Sequence, residues 1–147
     1  EMCIRDRSQT YTGGDDDLPF WHMRHQESVI QINCVKWFRL QYPRLAKNLV
    51  SIPNGGARLR SEAAIMKAEG TVAGAADLFL FYPSQGYHGL AIEMKTPQGR
   101  QQPSQKLWQQ AVEEFNYKYI ICRSFEQFME EIKAYFGWFD PKIYFFD

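Results

Sequence analysis

The chain has 147 residues, 45% of them hydrophobic and 16% aromatic, which is enough for one domain with a real core. Lys and Arg balance Asp and Glu at 17 each, and no apolar run approaches the ~20 residues that span a bilayer, so no membrane-spanning helix is expected. Three widely spaced cysteines (Cys3, Cys34, Cys122) with no CxxC exclude a disulfide framework and a zinc knuckle, and with no signal-peptide pattern they point to a reducing, cytoplasmic setting.

Residues 1–19 are polar, contain Gly13-Gly14-Asp15-Asp16-Asp17, and read as a flexible leader; residues 20–147 read as a single domain with no linker and no second module. Val29, Ile30, Val35, Trp37, Phe38 and Leu40 recur at helical spacing, so a helix is expected from about Trp21 to Gln41, closed by Pro43. Leu49 to Ile52 is a short strand, stopped by Pro53-Asn54-Gly55-Gly56. A helix follows over Leu59–Glu69, ended by Gly70. Strands over 77–82 and 88–95 are joined by Pro83-Ser84-Gln85-Gly86 as a hairpin. After a polar loop come a helix over Ser104–Phe115, a strand over Tyr117–Cys122 and a helix over Phe125–Phe136. Lys142–Phe146 can add an edge strand. The order is α-β-α-β-β-α-β-α, an α/β chain with a mixed sheet flanked by helices. The segment 89–122 has the length of a βαβ crossover, so its two strands should be parallel, with the polar cluster on the early strands at one sheet edge.

That cluster is the chemical signal. Asp77 opens one strand; Glu93 and Lys95 stand two residues apart on the next and so project to one face. Two carboxylates and an ammonium on one patch are costly to bury unless a divalent cation resolves the cost, which points to Mg²⁺ or Mn²⁺. Net charge is zero, yet residues 36–106 carry ten Lys/Arg against four acids, a local +6 around the cluster. Such a field suits a phosphate backbone. Gly55-Gly56 followed by Arg58 and Arg60 makes a loop able to approach it closely. His22 and His25 share a helical face but lack a third ligand, so no zinc site is expected. Cys34 and Cys122 read as core, and Trp37, Phe38, Trp108 and Phe115 as helix faces packing on the sheet. No GxGxxG or GxxxxGK[ST] occurs, so no nucleotide cofactor is expected.

Ile52-Pro53-Asn54-Gly55-Gly56, Gly74 through Asp77, Glu93-Met94-Lys95 and Ser104-Gln105, in that order, resemble the VRR-NUC domain of the PD-(D/E)xK nuclease superfamily over about Glu27 to Tyr135. The resemblance implies a restriction-endonuclease-like core and a metal-dependent, structure-selective endodeoxyribonuclease. It implies metal ligation by Asp77, Glu93, the Met94 carbonyl and Glu27, and catalytic roles for Lys95 and Gln105, with Glu27, Asp77 and Glu93 part of the same catalytic set; DNA contacts are expected from Asn54, Gly55, Gly56, Arg58, Arg60, Gln31, Lys67 and Ser104. Standalone members resemble phage-type junction resolvases, which implies a homodimer acting on branched or four-way DNA. The apolar Gly137-Trp138-Phe139 and Ile143–Phe146 stretch either packs on the core or forms the dimer contact. Two positions depart from the family pattern: Ala76 replaces a proline before the aspartate, and Asn116 replaces a glycine before Tyr117. A DNA-binding module that does not cut, or a nuclease subunit awaiting a partner, remains the alternative.

Overall fold

The computed structural model describes residues 20–53 and 60–141, and of these the side chains of 20–25, 60, 61 and 139 are not described. Four helices and four strands alternate as α1 (Phe20–Gln41), β1 (Leu49–Ser51), α2 (Arg60–Ala68), β2 (Leu78–Leu80), β3 (Leu90–Met94), α3 (Pro103–Glu113), β4 (Lys118–Cys122) and α4 (Phe125–Phe136). One-turn 3-10 helices at Pro43–Leu45 and Gly137–Phe139 follow α1 and α4. The first arises because Pro43 ends the α-helix but suits the first position of a new turn. The expected leader, the turn at 54–56 and the edge strand over Lys142–Phe146 lie outside the described residues.

The sheet runs β1-β2-β3-β4, antiparallel except for the parallel β3–β4 pair made by the α3 crossover. Alternation along the strands sorts side chains between two layers. Leu78, Leu80, Leu90, Ile92, Met94, Ile120 and Cys122 join Cys34 and Phe38 of α1 and Phe128, Ile132 and Phe136 of α4 in the main core. Ala76, Phe79, Ala91 and Tyr119 form the second layer, packed by Trp108 and Val112 of α3. All five residues of β3 are buried, as in a strand covered on both faces. Glu93 shares the parity of Ala91, so the register alone delivers it to the α3 side.

Three expectations need correcting. The polar cluster stands on β2 and β3, the two interior strands, and not at a sheet edge. The edge positions went to β1 and β4, whose place depends on pairing that a sequence does not encode locally. The central strands are also shorter than expected, and Lys95 lies one residue past β3. Finally, Phe115 does not pack on the sheet; it falls beyond α3 and is 67% exposed.

Candidate active site

β2 and β3 are antiparallel, with Leu78 opposite Ile92, so the residue before β2 meets the end of β3. Asp77 reaches it there: its Oδ2 accepts from the Met94 N–H at 2.8 Å. The next N–H, of Lys95, goes to the Cys122 carbonyl at 2.9 Å and extends the β3–β4 pairing. The one after, of Thr96, goes to Glu27 Oε1 of α1 at 3.2 Å. Three successive amides of one segment thus anchor a carboxylate, a strand and another carboxylate.

Glu93 is 1% exposed and Lys95 8%, and they form an ion pair at 2.9 Å between Nζ and Oε1. Gln105 Nε2 donates to the same Oε1. Its amide cannot turn over, because Gln105 Oε1 accepts from the Gln102 N–H at 2.8 Å in a capping box that opens α3. Glu93 Oε2 is buried and has no hydrogen-bond partner among the described residues. Burial first, then the Asp77 charge, push the Glu93 carboxyl up to about 7, with Glu27 adding to the rise and Lys95 opposing it. A buried carboxylate with one orphaned oxygen beside a like charge is an arrangement that a cation relieves. Among the described residues no three His, Cys, Asp or Glu side chains cage a cation by themselves. A metal would therefore rest on Asp77 and Glu93 with backbone oxygen and water completing its shell, as suits a hard divalent ion.

A cleft of about 550 Å³ opens over these groups, with Lys67, Thr71 and Gly74 on one wall and Gln102, Ser104 and Gln105 on the other. Gly74 has φ +85°, and a Cβ there would run into the backbone of Ser104 and Gln105, so glycine alone lets the loop before β2 touch the start of α3. Asn116 has φ +60°, the left-handed region that asparagine tolerates best after glycine, so asparagine suits a position where glycine was expected. Ala76 is fully buried in the second layer.

The structure therefore brings together Glu27, Asp77, Glu93, Met94, Lys95 and Gln105, with Lys67 and Ser104 on the cleft wall. Gln31 does not join them: its Nε2 donates to Ser51 Oγ at 3.4 Å, on the flank of α1. Asn54, Gly55, Gly56 and Arg58 lie outside the described residues, as does the side chain of Arg60. Sequence reasoning missed Arg123. Its Nη1 donates to the carbonyls of Thr96 (2.8 Å), Pro97 (3.3 Å) and Gly99 (2.6 Å) and so ties the loop after Lys95 to the end of β4. A lone arginine after an apolar strand carries no signal of that role.

The VRR-NUC domain family matches residues 17–126. A solved structure of a VRR_NUC domain protein is similar to the chain at 25% identity, with a TM-score of 0.65, covering 74% of this chain and 86% of that one. No curated protein matches it. Among the described residues no helix is long and apolar enough to cross a membrane. The chain belongs to the VRR-NUC family, and its fold carries a nuclease-type domain.

Proposed function

We propose that the protein is a metal-dependent DNA endonuclease selective for branched substrates. The observation that carries this reading is the buried Glu93–Lys95 pair beside Asp77, with Glu93 Oε2 lacking a partner among the described residues. A divalent cation, Mg²⁺ or Mn²⁺, held by Asp77, Glu93 and the Met94 carbonyl with Glu27 at its margin, would supply Lewis-acid polarisation of a phosphodiester. The side chains divide the remaining tasks. Lys95 Nζ, fixed by Glu93, orients the attacking water and stabilises negative charge building on phosphate oxygen. Gln105 keeps Glu93 Oε1 occupied, which leaves Oε2 as the oxygen open to a cation. Glu27 holds the backbone next to Lys95 through the Thr96 N–H. Lys67 and Ser104 border the path of the flanking phosphates, and Asn54, Gly55, Gly56, Arg58 and Arg60 contribute further contacts to the DNA backbone. Symmetric nicks across a four-way junction need two such sites, which a homodimer supplies. Buried, unbridged Cys34 and Cys122 suit a reducing cytoplasm.

The test is incubation of the purified chain with labelled four-way junction, flap, single-stranded and linear duplex DNA, with Mg²⁺, Mn²⁺ or EDTA. Metal-dependent cutting of branched DNA is expected, lost in Lys95→Ala and Asp77→Ala while both keep the wild-type circular dichroism spectrum. Full activity in either variant sinks the assignment. Tight binding without cutting in any metal transfers the reading to a binding module or a partner-dependent subunit.

A further inference from the structure

A second charged feature is carried by α1 and the sequence that follows it. From residue 28 to residue 61 the sequence holds Lys36, Arg39, Arg44, Lys47, Arg58 and Arg60 and no acid. Lys36, Arg39 and Lys47 are exposed, and among the described residues no carboxylate pairs with them. A groove of about 490 Å³ lies between α1 and the edge strand β1; Ile32, Val35 and Leu40 give it an apolar floor, with Gln31, Ser51, Lys36 and Arg39 also lining it. It starts at the catalytic end of the sheet. Ser51 pairs with Leu78, the residue after Asp77, and Ile52 N–H donates to the Asp77 carbonyl at 2.8 Å. It then follows α1 away from Glu27. At ~1.5 Å of rise per residue, Lys36 stands about 14 Å and Arg39 about 18 Å along the helix from Glu27.

Lys36 and Arg39 are three apart on one helix face, a like-charge spacing that weakens a helix. Arg39 lies in the last turn, where the helix dipole favours a cation, but Lys36 is a turn earlier and gains little from it. An anionic partner accounts for both. A duplex strand advances ~3.4 Å per phosphate, so the stretch from Glu27 to Arg39 spans about five base-pair steps.

We propose that this groove seats the sugar–phosphate backbone of a duplex DNA arm leading away from the cleavage site, with Lys36 and Arg39 each neutralising one phosphate. The placement of the arm rests on the nuclease reading; the binding does not. The experiment measures affinity for labelled duplex DNA across a range of salt, with EDTA present and in a Lys95→Ala background. Lys36→Gln with Arg39→Gln should lower the slope of log affinity against log salt by about 2 and weaken binding at least tenfold at low salt. Lys133→Gln, on the exposed face of α4, should leave the slope unchanged. In the otherwise native enzyme the Lys36/Arg39 pair should raise KM and leave kcat alone. An unchanged slope overturns the proposal. So does a chain that sediments with phosphatidylserine vesicles and binds no DNA. A lowered slope in a chain that cuts nothing upholds the groove and removes the nuclease reading.

Discussion

At the scale of single residues, Gln105 links the helix to the chemistry. Both ends of its amide are committed, one to the Gln102 N–H and one to Glu93. Gln105→Ala should leave Glu93 Oε1 to Lys95 alone and slow cleavage by about 10–100-fold, as loss of an outer-shell partner does, with KM for DNA nearly constant. A kcat within twofold of wild type would deny it that part. The two core cysteines make a separate prediction. Burial pushes both thiols up, each to about 12. Their folded values exceed the unfolded ones, so the stability they contribute is complete below pH ~9 and drains away as pH rises toward 12. At pH 8, then, iodoacetamide should leave Cys34 and Cys122 unmodified in the native chain and label both in urea. Rapid native labelling at either would mean that the α1 side of the sheet opens readily.

At the scale of elements, the approach of the 71–77 loop to α3 depends on Gly74. Gly74→Ala meets both an unfavourable φ, worth about 1–2 kcal/mol, and a collision with the Ser104 backbone. Its melting temperature should fall by several degrees, and activity should drop even where the fold survives. An unperturbed melt would show that the loop relaxes freely. Asn116→Gly should be near neutral, and Asn116→Val should cost more than 1 kcal/mol, since a β-branched residue resists positive φ. Much at this scale was legible in the chain. The α3 crossover and its parallel strands followed from length and spacing, and α4 occupies its expected Phe125–Phe136 because Ser124 caps it and Gly137 ends it. The clustering of Asp77, Glu93 and Lys95 followed from strand parity. The position of β1 in the sheet was not legible, because three residues carry no information about which neighbour they pair with. Nor was the hold of Arg123 on the 96–99 carbonyls, which exists only after β4 has docked.

At the scale of the whole molecule, cation binding should be readable without any substrate. A ligand that binds only the folded state raises its stability by RT ln(1 + [L]/Kd), so Mn²⁺ at about a hundred times Kd should add about 2.7 kcal/mol. Thermal unfolding should therefore shift upward with Mn²⁺ in the native chain and not in Asp77→Asn or Glu93→Gln. Equal shifts in all three would place the ion elsewhere. Light scattering on a size-exclusion column should return twice the chain mass if the proposed homodimer forms; a monomer at micromolar concentration would require junction cutting to recruit the second copy on DNA.

The groups that meet at the cleft come from four separated stretches of chain: Glu27 on α1, Asp77 before β2, Glu93 on β3 with Lys95 just past it, and Gln105 on α3. A fragment that lacks any one of these stretches holds only part of that set. Whatever reaction the cluster performs therefore switches on in the same cooperative step that completes the domain and is lost when the domain opens. A copy that has lost one of those stretches cannot assemble the cluster at all.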